Sequence, residues 1–518
     1  MAKRVPIQKT PFHERSPLLF LAIATAVALL PFLGKAFTMD DPLFLWAAQH
    51  IVESPGDPYG FNLNWYGRTQ PMSFVMQNPP LTSYALALAS EIVGWGEGAL
   101  HFAFAFFAFA AVAGTWSLAR GMTERPLLAA VLTLAMPFFL VSATNVMSDV
   151  PMVACFVWAL ALWRRGLDEH REWMLWLAAL LAGAAGFFKY FGIAAVPLML
   201  VYAVMRRRIP YHLVLPVALF GAYELATHAI TGAAQYVAVE RTNPGAKTLL
   251  MLSFMGGGAI GLLFFAPLVV RRRWWWIPAA VVAAAITVVV VNGAPAQPVV
   301  FTIFVATGIG VFMLAAINVR RDADSILLLL WIAGTAIFAA YVNWTVNARS
   351  LLPMIPAVAI LIARFVNANR NAILAATAAT AAVGLLVAFA DLQYANAQRD
   401  AARQLMNHYA GDGHRMWFEG HWGFQFYMQR AGAVPFGFDE TLHGKDLLVT
   451  PSTNTLLLHD VQRPPHRVIE VVQIPLSVPA ATVSNPMKAA FYSDYMGPLP
   501  YVFGTPPAET YTVRRLGR

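Results

Sequence analysis

Two neighbouring carboxylates stand where the first long apolar run of the sequence ends. Asp40 and Asp41 lie in FTMDDPLFLW, residues 37–46. A carboxylate can take the proton of an attacking hydroxyl group, so this acid pair is a candidate catalytic site. Asp41 followed by Pro42 also fits a helix N-cap with proline in the first turn. We therefore expect Asp41 to start a helix over 42–53 that lies flat on the membrane, and Asp40 to be either the general base or merely solvated.

A third carboxylate opens a later apolar run. Asp149 occurs in SATNVMSDVPMV, where the chain re-enters an apolar stretch. A charge at the edge of a hydrophobic bundle is costly and usually has a partner or a role. Asp149 is therefore the second candidate catalytic residue, with helix capping by Ser148 or Asp149 as the alternative.

Three cations accompany these acids. Lys189 interrupts the apolar sequence GFFKYFG, Arg349 precedes the run in NARSLLPMIP, and Arg68 lies in a long polar loop. Arginine binds phosphate through two hydrogen bonds and lysine binds it as a point charge, so an anionic lipid phosphate is the expected ligand. The alternatives are snorkelling of Lys189 at a helix end and pairing of Arg349 with an acid.

The sequence MQNPPLTSY, residues 76–84, offers an additional anion site. Asn78 can cap, and Pro79 can open, a short helix over 81–94. The free N–H groups at such a helix start attract negative charge. Asn78 is therefore a candidate substrate-binding residue.

The composition places these residues in a membrane protein. Hydrophobic residues make up 58% of the 518 residues and charged residues 12%, whereas soluble domains carry about 25% charged residues. The net charge of +9 is therefore not interpreted as a nucleic-acid-binding surface. The single cysteine, Cys155, excludes disulfides within the chain and cysteine metal clusters. We predict an all-α polytopic membrane protein.

Thirteen apolar runs are candidate spans, since a span needs about 20 apolar residues, or fewer where neighbours cover its ends. They are 17–34, 98–119, 126–143, 150–163, 173–188, 190–205, 210–228, 249–270, 274–292, 298–317, 325–342, 351–366 and 371–390. With the N-terminus in the cytoplasm, the inner segments hold 19 Lys and Arg residues and the outer loops up to residue 391 hold 6. This asymmetry matches the positive-inside rule, and we predict a multi-pass protein of a bacterial-type inner (plasma) membrane.

This topology divides the chain into two parts. Residues 1–391 form the transmembrane module, within which residues 35–97 form a long outer loop with amphipathic helices. Residues 392–518 are polar enough to fold in water, and they are predicted to form a small extracytoplasmic α/β domain. RMWFEG, DLLVTP and RVIEVVQIP are typical of strands and WGFQFYMQRAG of a helix. Polar residues gather at the outer face, which favours an enzyme or transporter acting there.

The order of these features resembles the GT-C superfamily of integral-membrane glycosyltransferases. The features are MDDPLFLWAAQHI, NPPLTSYALALA, SDVPM, FFKYFGIAAVPLML and ARSLLPMIPAVAIL, within residues 15–390. The resemblance is to the branch of the protein O-mannosyltransferases and the aminoarabinose transferase of lipid A. This sequence departs from that branch at two places. It has an Asp-Asp pair where the branch usually has Asp-Glu, and it has Asn78 where the aminoarabinose enzymes have lysine.

The resemblance implies a function in the cell envelope. Such enzymes transfer a hexose or pentose from a polyprenyl-phosphate carrier to a lipid, glycan or protein acceptor on the outer face, with inversion. It implies that Asp40 and Asp149 are catalytic, with Asp40 as the base. Substrate contacts are expected at Asp41, Arg68, Asn78, Lys189 and Arg349. No cofactor is required, although a divalent metal between Asp40 and Asp149 is compatible with the pattern.

The rival class of protein is a transporter or flippase for a lipid or glycan, for which midplane charges and internal repeats are expected.

Overall fold

The structure of the protein is a computed structural model. It describes residues 16–231, 244–269, 297–409, 413–437, 446–455 and 465–517, together with residues 282, 457 and 458.

The described residues form a bundle of helices followed by a small mixed sheet. The helices are Pro17–Leu29 (α1), Asp41–Glu53 (α2), Met72–Val75 (α3), Leu81–Val93 (α4), Glu97–Ala119 (α5), Pro126–Ala135 (α6), Pro137–Ala143 (α7), Asp149–Glu169 (α8), Glu172–Phe188 (α9), Ala195–Met205 (α10), Val214–Thr231 (α11), Pro244–Gly258 (α12), Gly261–Val269 (α13), Pro298–Asn318 (α14), Ala323–Ile337 (α15), Ala348–Leu351 (α16), Ile355–Phe365 (α17), Arg370–His408 (α18) and Trp422–Arg430 (α19). The predicted all-α membrane module with a C-terminal α/β part is confirmed.

Several of these helices can cross a membrane. In the described parts of the chain, six are long and apolar enough to do so, or up to eight if each of two bent pairs counts as one span. Shorter apolar helices accompany them, among them Pro17–Phe32 and Glu172–Phe188. The predicted span 274–292 lies outside the described residues apart from residue 282. The protein is thus an integral multi-pass membrane protein, and the count of thirteen spans stays a prediction.

Both bent spans have recognisable sequence features next to the bend. Helices α6 and α7 meet at 65°, where Met136 is extended before Pro137, as the ring of a following proline requires. Helices α12 and α13 meet at 78° after the glycines at 256–258. A Cβ on Gly256 would lie 1.7 Å from the carbonyl oxygen of Phe304, so only glycine allows α12 to approach α14 this closely.

The long loop after α1 is largely ordered into short elements. The predicted helix over 42–53 is α2, which runs from Asp41 to Glu53, and the predicted helix over 81–94 is α4. Between them, β1 (Asn62–Asn64) and β2 (Thr69–Pro71) form an antiparallel hairpin. The ring of Trp65 in this hairpin stacks on His421, with centroids 4.6 Å apart. The long loop is therefore docked onto the C-terminal part of the chain.

The C-terminal part contains the predicted strands. They are Met416–Phe418 (β3), Val434–Pro435 (β4), Leu447–Pro451 (β5), His466–Ile474 (β6), Ala480–Ala481 (β7), Val483–Ser484 (β8), Ala489–Ala490 (β9), Val502–Phe503 (β10) and Glu509–Leu516 (β11). A five-stranded sheet has the order β4-β3-β5-β11-β6. Strand β3 is parallel to β4 and β5, whereas β11 is antiparallel to β5 and β6. Helix α19 makes the crossover between the parallel strands β3 and β4.

The C-terminal part is bound closely to the bundle. The predicted boundary between residues 391 and 392 lies inside α18, which continues from Arg370 to His408. Farther on, the amide of Ala348 donates to the carbonyl of Phe491 at 2.9 Å, and the amide of Asp494 donates to the carbonyl of Val346 at 2.9 Å. The C-terminal part thus holds the backbone at the start of α16, and the division into two domains stays a prediction.

Arg164 lies toward the end of α8 that is opposite Asp149. Arg164, near the end of α8, pairs with Asp324 at the start of α15, with 2.9 Å between Nε and Oδ1. It also donates to the carbonyl of Gly121 after α5. This arrangement agrees with the predicted cytoplasmic N-terminus and extracytoplasmic C-terminal part, and both orientations stay predictions.

Candidate active site

Four of the predicted residues form one charged cluster. The guanidinium of Arg349 lies between two carboxylates, with 2.5 Å from Nη1 to Oδ2 of Asp40 and 2.7 Å from Nε to Oδ2 of Asp149. The amine of Lys189 lies 2.6 Å from the other oxygen of Asp149. Two acids and two cations distant in sequence are therefore brought together at the end of the bundle that carries the C-terminal part.

Each of these residues lies at the end of a helix or in the turn beside one. Asp149 is the first residue of α8, Lys189 directly follows α9, and Arg349 lies in α16. Asp40 precedes α2 and follows Met39, whose φ of 48° is in the left-handed region. A non-glycine residue with this backbone conformation is strained, and such strain is often found at functional sites.

Burial distinguishes the two acids. The side chain of Asp149 is 2% exposed and that of Asp40 is 37% exposed. Both oxygens of Asp149 are engaged, one by each cation. Asp149 thus holds the two cations together, whereas Asp40 offers carboxylate surface to an incoming molecule.

Asp41 does not have the expected capping role. Helix α2 begins at Asp41 with Asp40 at the N-cap position, and no side chain makes a cap hydrogen bond there. Instead, the Asp41 carboxylate accepts from the amide of Thr38 at 2.9 Å and from the amide of Val146 at 3.0 Å. Burial raises the pKa of Asp41 to about 7. Asp41 therefore ties the loop before α2 to the loop before α8 from a fully buried position.

We predict that Asp41→Asn destabilises the protein by about 1–3 kcal/mol, because an amide has one acceptor oxygen and would leave a buried N–H unsatisfied. A capping role would instead predict a mild effect, since Asn caps about as well as Asp. The free energy of unfolding, measured by denaturant titration in detergent, distinguishes the two. Asp57→Asn, at an exposed acid of the same loop, is the matched control, and equal stability of both variants would contradict the tethering role.

Two predicted substrate-binding residues lie outside the charged cluster. Arg68 is exposed in the turn between β1 and β2. Asn78 is half-buried and does not cap α4, which begins at Leu81 after Pro80 without a side-chain cap bond. The carbonyl of Asn78 accepts from the hydroxyl of Tyr59 at 2.7 Å. The expected capping by Asn78 is therefore wrong, and substrate contacts by Arg68 and Asn78 stay predictions.

A buried ion pair near the cluster is not among the residues predicted from the sequence. Lys35 is fully buried, and its amine lies 2.5 Å from Oδ2 of Asp391 and 2.6 Å from Oδ1 of Asn145. Asp391 also accepts from the hydroxyls of Thr482 and Tyr492, both at 2.8 Å. Because Lys35 follows the first apolar run and Asp391 follows the last one, a search for opposite charges at the same predicted face could have found this pair.

An apolar cavity begins beside the cluster. Its volume is about 860 Å³, and it lies between the segment 190–201 and helix α15. Tyr190, which directly follows Lys189, lines it, and the remaining lining is apolar apart from Glu224 and Thr335. Ligand cavities in proteins typically measure about 300–1,000 Å³. The cavity is thus suited to a long apolar group that carries a charged end near Lys189.

The site offers cations rather than a set of metal ligands. The Arg349 guanidinium contacts both Asp40 and Asp149, the pair between which a metal is compatible with the sequence pattern. Within the described parts of the chain, no three His, Cys, Asp or Glu residues form a group that could hold a metal ion.

One family model matches part of the sequence. Residues 77–230 match the family model described as dolichyl-phosphate-mannose-protein mannosyltransferase. That segment contains Asn78, Asp149 and Lys189, and both Asp149 and Lys189 belong to the charged cluster. No curated protein sequence matches the chain.

Solved structures with a similar course of the chain include two of ArnT from Cupriavidus metallidurans. The apo structure is 14% identical over 85% of this chain and 93% of that chain, with a TM-score of 0.45. The structure bound to undecaprenyl phosphate is 15% identical over 86% and 94%, with a TM-score of 0.44. The mycobacterial arabinofuranosyltransferase AftD is 14% identical over 96% of this chain and 40% of that chain, with a TM-score of 0.44.

The matched segment includes the Pro-Pro-Leu helix, Asp149 and Lys189, whereas the acid pair and Arg349 lie outside it. Residues 77–230 are therefore similar to the dolichyl-phosphate-mannose-protein mannosyltransferase family.

Proposed function

We propose that the protein transfers a sugar from a polyprenyl-phosphate carrier to an acceptor hydroxyl at the outer face of the membrane. The observation that carries this proposal is the charged cluster of Asp40, Arg349, Asp149 and Lys189 beside a large apolar cavity. The name of the matched family includes a polyprenyl-phosphate sugar, dolichyl-phosphate-mannose, which supports the same donor class.

The cavity and the cations fit the two ends of such a donor. The polyprenyl chain fills the apolar cavity along α15, and the phosphate lies at Lys189 and Arg349. A guanidinium has five N–H donors, and the bonds to Asp149 and Asp40 use one donor each. Arg349 can therefore bind phosphate oxygens while it holds both carboxylates.

Asp40 acts as the general base in this proposal. The acceptor hydroxyl attacks the anomeric carbon, its proton passes to the Asp40 carboxylate, and the bond between that carbon and the phosphate oxygen breaks. The electron pair of that bond leaves with the polyprenyl phosphate, whose developing charge Lys189 and Arg349 stabilise. A single displacement of this kind inverts the anomeric configuration. Asp149 keeps the two cations in place.

The donor proposal predicts a selective loss in Lys189→Ala. Charge-assisted hydrogen bonds contribute about 1.5–3 kcal/mol, so affinity for undecaprenyl phosphate should fall roughly tenfold to a hundredfold. Binding is measured by native mass spectrometry or by thermal shift in detergent. The matched control is Lys247→Ala, since Lys247 is also half-buried but pairs with Asp494, and its affinity should not change.

A second variant tests the cavity itself. Gly334 lines the cavity, and a Cβ there would meet no atom within 4 Å, so Gly334→Phe should fill the cavity without disturbing α15. It should weaken binding of undecaprenyl phosphate more than binding of the short geranyl phosphate. Equal affinities of wild type, Lys189→Ala and Gly334→Phe for the long carrier would contradict the proposed donor site.

A further inference from the structure

The backbone before the proposed base is held by distant parts of the chain. We call residues 34–40 the Asp40 loop. The carbonyl of Gly34 accepts from Nη1 of Arg399 at 3.1 Å, and the amide of Ala36 donates to Oδ1 of Asn396 at 3.0 Å. The amide of Phe37 donates to the hydroxyl of Tyr427 at 2.8 Å. These partners all lie in α18 beyond residue 391 or in α19, so the C-terminal part fixes this loop.

The hydrogen bonds around Tyr427 have a defined direction. Its hydroxyl lies 2.6 Å from Oε1 of Glu97, and the other oxygen of Glu97 lies 2.6 Å from Nη1 of Arg399. An ionised carboxylate only accepts hydrogen bonds, so the Tyr427 hydroxyl donates to Glu97 and turns its lone pairs toward the amide of Phe37. Burial and the charge of Glu97 raise the pKa of Tyr427, which keeps the hydroxyl protonated in this role.

Helix α19 also packs directly against the Asp40 loop. A Cβ on Gly423 would lie 2.2 Å from the carbonyl oxygen of Phe37, so only glycine permits this approach. Trp422 beside it has a φ of 65°, a strained value for a residue with a side chain. The ring of Phe426 meets that of Phe37 edge-on at 5.6 Å. The strained residues Trp422 and Met39 thus lie on the two sides of this contact. The hydrogen bonds and packing around them must maintain their backbone conformations.

We propose that Tyr427, oriented by Glu97 and Arg399, is a positioning residue that fixes the Asp40 loop and thereby sets the place of the base in the charged cluster. This inference rests on the proposed role of Asp40. It gives the extracytoplasmic C-terminal part a function in turnover, through a contact with the loop rather than with the substrates. A displacement of about 1 Å of a catalytic group can cost roughly a hundredfold in rate, so a single hydroxyl at this position can matter.

The test is Tyr427→Phe in the full-length protein. The ring and its packing remain, but the buried amide of Phe37 loses its acceptor. Turnover should fall roughly tenfold to a hundredfold, while affinity for undecaprenyl phosphate stays unchanged because Lys189 and the cavity are untouched. Hydrogen exchange, measured by mass spectrometry on the peptide that covers residues 34–40, should become faster.

The matched control is Tyr501→Phe. Tyr501 is also buried and donates one hydrogen bond, at 2.9 Å to the carbonyl of Gly257, but it does not contact the Asp40 loop through that bond. Turnover, affinity and exchange should all stay at wild-type values in this variant. Wild-type turnover or unchanged exchange in Tyr427→Phe would overturn the inference, as would a joint loss of turnover and affinity. If the wild-type protein transfers no sugar from any polyprenyl-phosphate donor, the proposed function fails, and the exchange measurement still decides whether Tyr427 holds the loop.

Discussion

Asp40→Asn is expected to lower the rate of sugar transfer by roughly a hundredfold to ten-thousandfold, the range by which a positioned general base contributes. The amide keeps the size of the side chain and an oxygen that can accept from Arg349, but it cannot take the proton of the acceptor. Affinity for the carrier should survive, because the phosphate is assigned to Lys189 and Arg349. The measurement is the transfer rate and the carrier affinity of the purified variant in liposomes.

The control for this variant is Glu53→Gln, which neutralises an exposed acid at the end of α2. It should leave both rate and affinity unchanged. Near-normal turnover in Asp40→Asn would remove Asp40 as the base. A loss of affinity equal to the loss of rate would instead place Asp40 in donor binding.

Arg349→Ala is expected to lose both stability and turnover. Removal of one partner from a buried ion pair costs about 3–5 kcal/mol because the remaining charge is uncompensated, and Arg349 is shared by Asp40 and the buried Asp149. Arg349→Lys should have an intermediate effect, since an amine is a compact charge that cannot reproduce the planar fork of the guanidinium. Thermal unfolding and transfer rate, measured on the same preparations, give the two quantities.

The double variant Arg349→Ala with Asp149→Asn separates stability from chemistry. With the uncompensated carboxylate removed, most of the stability should return, whereas turnover should stay low because the phosphate has lost a cation. Recovery of wild-type turnover in the double variant would show that Arg349 serves the fold alone.

The sequence was informative wherever local pattern decides structure. The apolar periodicity after Asp41 and the following proline predicted α2, which the structure places at Asp41–Glu53. The strands around residues 416, 447 and 466 were predicted from alternating apolar residues, and the structure contains them. The same outer face was inferred for Asp40, Asp149, Lys189 and Arg349 from the alternation of spans, and the structure brings these four side chains into contact.

Contacts between distant segments could not be predicted in this way. The carboxylate of Asp41 has a capping pattern in the sequence, but its partner Val146 is an amide in another loop. The left-handed backbone of Met39 has no local signal in the sequence. Tyr427 resembles any other aromatic residue of an amphipathic helix, and only its position beside Phe37 gives it a role.

The change of composition after residue 390 does not mark the end of a helix. It indicates where the chain becomes polar, yet α18 continues unbroken to His408. A helix that leaves a membrane needs no break, because its backbone hydrogen bonds are satisfied internally in either environment. Asp391 lies within this helix and pairs with Lys35, which follows α1. The chain therefore becomes polar at the point where α18 contacts the residues after α1.

The most direct test of the central claim is mass spectrometry of lipid-linked sugars and surface glycans in a strain that lacks this protein. A polyprenyl-phosphate sugar should accumulate and one surface glycan should lose that sugar. The gene for the wild-type protein should reverse both changes, and the gene for Asp40→Asn should reverse neither. Unchanged lipid-linked sugars in the deletion strain, or full restoration by Asp40→Asn, would contradict sugar transfer from a polyprenyl-phosphate carrier with Asp40 as the base.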